Sequence, residues 1–541
     1  MDIVARRVER GDDPHTAINS FVKGLYHQLI VSVIDQNPQL RAFNGLLFQQ
    51  KIEKYRQNTQ RFQELSKKEL FCRLASRIPP LATDTDEEKA ELNTLKRNIA
   101  SGGRGNSIRT IIDAIPTLLP RLCPCMLMSP ISVAQYIDLN NEKFDLVIFD
   151  EASQMPTSEA VGAIARGKAL TVVGDSKQMP PTSFFSSSQT DEEEAYIDDM
   201  ESILEDCKTL SMQEYYLSWH YRSKLESLIA FSNSQYYDNK LYTFPSVDDK
   251  VTKVSFVKIE GEYDKGHSRS NPAEARAIVN EVIRRLEDPE LQKFSIGIVS
   301  FSKVQQNLIE DILTDELDHH AALKAVAYNE HEPVFVKNLE NVQGDERDVI
   351  LFSIGYGPDK DGNVSMNFGP LNNSGGERRL NVAVSRARYE MMVFSSMTAS
   401  QIDLRRTSAK GVEGLRAFLE FAENGHLPAP PVTFNNEEKH VLIDQICEAL
   451  GEKGYLTTPL VGRSNFKVDI AVSSPDNPDN YLLGIMCDGN SYYETKTTRD
   501  REIVQPAILH MLHWRTMRVY SIDWYANRDK VLSQIIARIK K

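Results

Sequence analysis

Two adjacent carboxylates, Asp150 and Glu151, directly follow a mostly apolar run at residues 144–149. Such a run is typical of a strand in a parallel sheet, and ligands bind where the carboxyl ends of these strands meet. Asp150 is suited to hold Mg²⁺ through water, because Mg²⁺ prefers one or two carboxylates and keeps several waters. Glu151 is suited to orient and deprotonate an attacking water. The pair predicts nucleotide hydrolysis, although a strand followed by two acids also occurs in unrelated proteins.

Further motifs follow in order along the chain. They are a strand, a glycine turn and a glutamine at 170–182, a block containing Arg222 at 217–223, a strand leading to Gln305 at 297–305, a polar segment at 340–348 and an arginine-rich segment at 379–388. Together with Asp150 and Glu151, their order and spacing across 124–396 resemble the motifs of superfamily 1 helicases of the Upf-like branch. The resemblance implies two RecA-like motor domains that close on ATP.

The resemblance also assigns nucleotide contacts to five residues beyond the carboxylate pair. Arg222 and Arg386 would be catalytic groups at the γ-phosphate, because cations placed on the developing charge accelerate phosphoryl transfer. Gln178 would sense the γ-phosphate, and Gly344 and Glu346 would approach the nucleotide through backbone and ribose contacts. The alternatives are a surface ion pair for each arginine and a plain turn for Gly344. ATP and Mg²⁺ are the implied cofactors.

A single nucleic-acid strand is the implied partner, with DNA favoured over RNA. Ser129 and Pro130 precede the carboxylate strand, and Thr182 follows the glutamine motif. These residues resemble strand-contacting motifs, which would bind phosphates without regard to base sequence. The alternative for each is ordinary turn chemistry.

A P-loop, GxxxxGK followed by Ser or Thr, is not present in the sequence. The glycine cluster at 101–107 lacks the Gly-Lys ending and has no apolar strand leading into it. In the family that the chain resembles, the P-loop precedes the helical region. We therefore expect the C-terminal part of a longer helicase, inactive alone, with an upstream chain supplying the P-loop; truncation, a split gene and a partner chain all remain open.

Near the end of the chain, Asp469 lies in one apolar run at 466–472, and Met486 and Asp488 lie at the end of another that begins at 481. With these runs and the helices around them, the last hundred residues resemble the small endonuclease fold of the Vsr and restriction-enzyme type. In that fold, clustered carboxylates on neighbouring strands hold Mg²⁺ against the scissile phosphate. Asp469 keeps one acid position and Asp488 is a second candidate ligand, but Met486 stands where the family has Glu. Because Met is a poor ligand for Mg²⁺, we expect a degenerate nuclease site.

Short apolar runs that alternate with helices must position these residues. The runs at 146–149, 170–173, 296–299, 349–354 and 391–394 predict strands buried on both faces of parallel sheets. The expected fold class is α/β, with RecA-like motor domains, an N-terminal helical region and a small C-terminal α/β domain. The expected domains are a helical region at 1–115, the end of the first motor domain at 116–215, the second motor domain at 216–425, a linker at 426–436 and the endonuclease-like domain at 437–541.

The charge and the N-terminal sequence limit the kinds of function that the chain can have. The 541 residues carry 63 Lys and Arg against 76 Asp and Glu, a net charge of −13, so any nucleic-acid contact must be local. No secretory signal is visible, and we expect a cytoplasmic protein. The favoured function is part of an ATP-dependent helicase or translocase. The alternatives are a non-hydrolysing nucleic-acid-binding scaffold and a metal-dependent nuclease with a helicase remnant.

Overall fold

The computed structural model describes residues 13–79, 85–181, 202–249, 252–426 and 440–540. They fall into two compact units. The helical unit comprises residues 13–70, 487–506 and 517–540, and the sheet unit comprises the described part of 71–486 together with 507–516. Within the described residues, no helix is both long and apolar enough to cross a membrane.

The elements are numbered here in chain order. The first half contains α1 Pro14–Gln36, α2 Pro38–Arg41, α3 Gly45–Arg77, α4 Asp86–Ala100, α5 Ile108–Asp113, α6 Leu119–Leu122, α7 Pro130–Tyr136, β1 Val147–Phe149, α8 Thr157–Ile164, β2 Leu170–Val172, α9 Ile203–Thr209, α10 Glu226–Tyr236, β3 Val254–Lys258 and α11 Pro272–Glu287. The second half contains β4 Ile296–Ser300, α12 Lys303–Asp318, α13 Ala321–Ala327, β5 Phe335–Asn338, β6 Arg347–Ser353, α14 Gly376–Val384, β7 Ala387–Ser395, α15 Lys410–Asn424, α16 Val441–Gly451, β8 Leu456–Val461, β9 Val468–Ser474, β10 Asn477–Cys487, α17 Asn490–Glu494, α18 Gln505–Met511, β11 Thr516–Val519, α19 Ser521–Ala526 and α20 Arg528–Ile539.

The helical unit is built around aromatic side chains from distant parts of the sequence. Phe43 and Phe48 each place their ring centroid within 5.7 Å of the ring of Tyr520. The Arg56 guanidinium donates a hydrogen bond to the Glu502 carbonyl at 2.7 Å. The predicted helical character of the N-terminal region is confirmed over the part that the structure describes.

A five-stranded parallel sheet is the largest element of the sheet unit, with strand order β3-β7-β6-β4-β5. Every residue of β4 is buried, and the last five residues of β6 are buried as well. Apolar runs of this kind predict central strands with helices on both faces, and the α/β fold class is confirmed. The edge strands β3 and β5 have fewer buried residues and were not predicted.

Among the described residues, a two-stranded parallel sheet is formed by β1 and β2, which pair from Val147 with Leu170 to Phe149 with Val172. The prediction that these strands are buried on both faces is wrong, since Ile148 is 61% exposed. The physical reason is that a sheet of two strands has helical cover on one face, where Phe149 packs with Ala160 and Ala163 of α8. The carboxyl ends of the two strands remain joined, because the Val173 N–H donates to the Phe149 carbonyl at 2.8 Å.

Three C-terminal strands form an antiparallel arrangement, in which β9 pairs with β8 on one side and with β10 on the other. The six residues at the start of β9 are buried. Apolar side chains of this region join a cluster with residues near position 244, and they are Phe466, Val468, Ala471, Leu509, Leu512 and Trp514. The C-terminal sheet expected from the sequence is therefore present.

A buried carboxyl group lies at the carboxyl edge of the five-stranded sheet. Asn271 caps α11 by accepting from the Glu274 N–H, and Pro272 occupies the first turn, a typical helix start. The Glu274 carboxylate accepts from the Ser353 hydroxyl at 2.6 Å and from the Gly355 N–H at 2.7 Å. Burial raises the pKa of Glu274 to about 8 in spite of these hydrogen bonds. Glu274 is therefore protonated in the folded protein at neutral pH.

This raised pKa predicts a pH-dependent stability. The folded pKa of about 8 lies above the ordinary value of 4.5, so folding favours the protonated carboxyl and stability falls as pH rises between these values. We expect the natural chain to lose about 1.4 kcal/mol per pH unit between pH 5 and 7 relative to Glu274→Gln, which mimics the protonated acid. Urea denaturation of both proteins at several pH values measures this difference. A difference that stays constant with pH would contradict the buried neutral carboxyl.

Candidate nucleotide and nucleic-acid site

The predicted carboxylate pair lies at the carboxyl end of β1. Glu151 has a φ of +53°, so the chain turns sharply here, and its N–H donates to Asp150 Oδ1 at 3.0 Å. Both side chains are exposed. Gly174 closes the neighbouring loop after β2, where a Cβ atom would lie 3.0 Å from the Ser153 backbone nitrogen. Glycine is favoured at this position because a side chain would press on the backbone of the adjacent loop.

The structure brings Glu151 to the predicted polar segment at 340–348, which leads into β6 of the five-stranded sheet. Gln343 donates from Nε2 to Glu151 Oε2 at 3.2 Å. The next residue, Gly344, has a φ of +89°, which L-residues with a side chain rarely adopt. Its own surroundings are open, because a Cβ atom at this position would have no neighbour within 4 Å. The backbone conformation, not a lack of space, therefore favours glycine in this loop.

The glutamine motif is hydrogen-bonded to helices that pack near the five-stranded sheet, through residues that the sequence did not indicate. Gln178 donates from Nε2 to Asp175 Oδ2 at 3.0 Å, and the same oxygen accepts from the Tyr237 hydroxyl at 2.7 Å. Asn381 of α14 donates to the Tyr237 hydroxyl and to the Lys177 carbonyl, each at 2.9 Å. Tyr237 lies in no recognised motif, so nothing in the sequence pointed to it. Asn381 lay within the arginine-rich motif but carried no predicted role.

Arg222 and Glu346, both predicted nucleotide contacts, pair with each other. Arg222 Nε donates to Glu346 Oε2 at 2.9 Å, and Arg388 lies 3.5 Å from the other carboxylate oxygen. His220 stands next to this pair, and its Nε2 accepts from the Ser223 N–H at 3.1 Å. Burial and the charges of Arg222 and Arg386 lower the pKa of His220 to about 3. The imidazole is therefore neutral and serves as an acceptor that shapes the Arg222 loop.

Arg386 is buried, with 1% of its surface exposed. Its guanidinium donates to the Val382 carbonyl at 2.7 Å and to the Ser385 hydroxyl at 3.0 Å, so these bonds run to uncharged groups. Burial and the nearby charge of Arg222 lower the pKa of Arg386 to about 9, which leaves it charged at neutral pH. The acids Glu151 and Glu346 act in the opposite direction. The two arginines thus lie close enough for their charges to repel each other.

Two of the predicted strand-contacting residues, Ser129 and Pro130, lie at the start of α7. Ser129 caps α7, since its hydroxyl accepts from the Ser132 N–H at 3.2 Å, and Pro130 takes the first helical position. Proline is favoured there because it has no N–H to leave unpaired. Thr182 lies outside the described residues. The turn alternative accounts for Ser129 and Pro130, and contact with a strand stays a prediction.

One segment of the sequence comes within a residue of the P-loop pattern. Residues 162–169 read Gly-Ala-Ile-Ala-Arg-Gly-Lys-Ala, with Ala169 where the pattern needs Ser or Thr. The segment leads out of α8 and into β2, whereas a P-loop follows a strand and opens a helix. Lys168 pairs with Asp145 at 2.9 Å. The context therefore excludes a phosphate-binding loop here.

The three residues of the predicted nuclease site lie within β9, near the end of β10 and directly after β10. Asp469 is buried in β9, and Met486 packs against the apolar cluster that contains Trp514. Asp488 accepts from the Ser521 N–H at 2.7 Å and from its hydroxyl at 3.0 Å, at the start of α19. No group of three or more His, Cys, Asp or Glu side chains in the described ranges could hold a metal ion. Asp488 thus acts as a partner of a helix N-terminus.

Comparison with known proteins bears on both parts of the chain. Residues 200–398 match the AAA domain family AAA_12, and residues 443–539 match the family REase_MTES_1575. The resemblance to superfamily 1 helicases is confirmed. The helicase-like chain is 34% identical to "Uncharacterized ATP-dependent helicase MG140 homolog" of Mycoplasma pneumoniae over 77% of its own length and 39% of that protein. It is also 34% identical to "Uncharacterized ATP-dependent helicase MG140" of Mycoplasma genitalium, over 57% of its length and 28% of that protein.

A more distant helicase matches a smaller part of the chain. "DNA polymerase alpha-associated DNA helicase A" of Saccharomyces cerevisiae is 26% identical over 49% of this chain and 40% of that protein. In each of these comparisons the helicase-like chain spans less than half of the relative. The C-terminal match also confirms the predicted endonuclease-like domain.

The packing of Met486 predicts that a carboxylate at this position destabilises the fold. We expect Met486→Glu to lower the free energy of unfolding by about 2 kcal/mol, because a carboxylate loses hydration in an apolar cluster. Met486→Leu keeps the volume and should cost well under about 1.5 kcal/mol. Denaturant unfolding measures both. With Mg²⁺ or Mn²⁺ we expect no plasmid nicking by the natural chain; cleavage that is lost in Asp469→Ala would contradict the degenerate site.

Proposed function

We propose that this chain supplies the hydrolytic carboxylates and the γ-phosphate arginines of an ATP-dependent superfamily 1 helicase or translocase. Hydrolysis would be coupled to movement on single-stranded DNA, and less favourably on RNA. The observation that carries the proposal is the hydrogen bond from Gln343 to Glu151 at 3.2 Å. It joins a motif of the two-stranded sheet to a motif of the five-stranded sheet. The relatives named as ATP-dependent helicases support the proposal.

Asp150 and Glu151 divide the work at the end of β1. Asp150 is an exposed carboxylate, and oxygen ligands of this kind would hold Mg²⁺, which would supply positive charge to the nucleotide phosphates. Glu151 would orient the attacking water and accept its proton. Two buried amide oxygens within the later motifs, Gln343 Oε1 and Asn381 Oδ1, have no hydrogen-bond partner. Unpaired buried acceptors are costly, and a polar ligand or water in the cleft would satisfy them.

Arg222 and Arg386 would stabilise the charge that develops on the γ-phosphate. Glu346 pairs with Arg222, and this pairing fixes the position of the guanidinium. A phosphate would compete for the same donor, because charge-assisted bonds to phosphate are strong. Arg386 is already desolvated, so an anion beside it would gain more from its charge than an anion in water.

Gln178 would couple the presence or loss of the γ-phosphate to the position of α14, beside the five-stranded sheet. It bonds to Asp175, whose carboxylate accepts from Tyr237, and Tyr237 in turn accepts from Asn381. These hydrogen bonds join the glutamine loop to α14, the helix that leads to Arg386. A shift of Gln178 on loss of the γ-phosphate would therefore move the elements that hold the arginine.

The remaining parts of the chain have proposed roles in binding the nucleotide and the nucleic acid. An upstream segment would supply the P-loop, and Ser129, Pro130 and Thr182 would contact the backbone of the nucleic-acid strand. Gly344 would approach the nucleotide through its backbone. The C-terminal domain would serve contacts with nucleic acid or partners in place of cleavage.

A steady-state assay tests the dependence on a P-loop. We expect the chain alone to hydrolyse ATP negligibly, with or without single-stranded DNA, since no P-loop pattern occurs in it. Joined to a P-loop-bearing segment, it should gain DNA-stimulated turnover that Glu151→Gln abolishes. DNA-stimulated turnover by the chain alone that vanishes in Glu151→Gln would show that another segment binds the phosphates. Nucleic-acid binding without turnover in either form would favour a scaffold.

The arginine assignment has its own test in the form that hydrolyses ATP. We expect Arg386→Ala to lower kcat by roughly 10³ to 10⁵, the range associated with an arginine finger. Arg405→Ala is the matched control, because its side chain is 91% exposed and pairs only with the nearby Asp403 among the contacts described. Equal turnover in both variants would reduce Arg386 to a structural role.

A further inference from the structure

The turn at residues 463–466 is hydrogen-bonded to the segment that precedes β3. Ser464 accepts from the Thr243 N–H at 3.0 Å and donates to the Thr243 carbonyl at 2.9 Å. The Arg463 N–H donates to a Glu226 carboxylate oxygen at 3.0 Å, at the start of α10. All four residues except Arg463 are at least nine-tenths buried. The bonds are therefore shielded from water and fix one relative placement of these two segments.

Aromatic side chains reinforce the same contact. The rings of Phe466 and Phe244 have centroids 4.5 Å apart, and the ring of Trp219 lies 5.1 Å from that of Phe244. Trp514 donates from its indole N–H to the Pro245 carbonyl at 2.7 Å. Aromatic pairs at these distances contribute beyond the burial of area alone. The contact thus extends without a break from Phe466 to Trp219.

Trp219 lies three residues before Arg222, and the intervening backbone is paired. The His220 N–H donates to the Tyr242 carbonyl at 3.0 Å, and the Tyr242 N–H donates to the Ser218 carbonyl at 2.7 Å. The His220 ring then accepts from the Ser223 N–H on the far side of Arg222. The loop that carries Arg222 is therefore anchored to residue 242, next to the residues that Ser464 and Phe466 contact.

We propose that Ser464 and Phe466 are positioning residues for Arg222, so that the endonuclease-like domain sets the geometry of an arginine in the nucleotide cleft. The inference rests on the proposed function for its catalytic consequence, but not for the structural link itself. Geometry matters here because a catalytic cation displaced by about 1 Å can lose on the order of a hundredfold in rate. A domain whose nuclease site is degenerate would thereby retain a role in the motor.

Hydrogen exchange tests the structural link directly. We expect the backbone amides at 217–225 to exchange on the order of tenfold faster in Phe466→Ala and in Ser464→Ala, because two hydrogen bonds or a ring contact are lost. Leu450→Ala is the control, since Leu450 is fully buried in α16 but lies outside the cluster of Phe466. It should lower the thermal midpoint and leave exchange at 217–225 unchanged. Unchanged exchange in Phe466→Ala, or equal acceleration in Leu450→Ala, would overturn the link.

Kinetics test the consequence for Arg222 in the form that carries a P-loop. We expect Ser464→Ala to lower kcat by roughly tenfold or more while KM for ATP stays within about twofold, because the arginine acts on charge in the transition state. Ser464→Thr keeps the hydroxyl and should restore much of kcat. A raised KM with unchanged kcat would overturn the positioning role. If no form hydrolyses ATP, the proposed function fails, and the exchange result still decides whether the link exists.

Discussion

The cost of holding positive charge away from water is the main constraint on the residues around Arg222 and Arg386. Arg386 is almost fully buried, and its hydrogen bonds run to a carbonyl and a hydroxyl, not to a carboxylate. A buried ion without a counter-ion costs several kcal/mol, and the neighbouring Arg222 adds repulsion. Glu346 offsets part of this cost by pairing with Arg222. If the proposed nucleotide binds here, its phosphates would offset the rest of this cost, because an anion beside a desolvated cation interacts more strongly than it does in water.

The segments that carry Arg386 and Arg222 are each held by neighbouring secondary structure or by backbone hydrogen bonds. The segment around Arg386 links α14 to β7, and β7 lies between β3 and β6 in a sheet with a fully buried centre. The Arg222 loop is held from the opposite side by the neutral ring of His220 and by pairing with Tyr242. A charged His220 beside two arginines would repel them, so its lowered pKa is part of the same balance.

The parts that the sequence predicted are those whose signal is local. Continuous apolar runs identified β4, β6 and β7 because strands buried on both faces need apolar side chains at successive positions. Edge strand β5 was not predicted, because its residues are only half-buried and its sequence, Phe-Val-Lys-Asn, combines apolar and polar side chains. Tyr237 escaped for a different reason. Its role depends on meeting Asp175, 62 residues away, and no pattern within either segment encodes that encounter.

Residue type alone did not indicate the hydrogen-bond partners of Asp488 in the endonuclease-like domain. Asp488 was a plausible metal ligand by type, yet it accepts two hydrogen bonds from Ser521. A carboxylate so engaged caps a helix start and has less capacity left for a cation. Met486, in contrast, behaves as its chemistry suggests and packs with apolar neighbours. An apolar side chain at the end of β10 stabilises the fold by burying its surface in the same cluster that holds Phe466 and Phe244, whereas a carboxylate there would lose hydration.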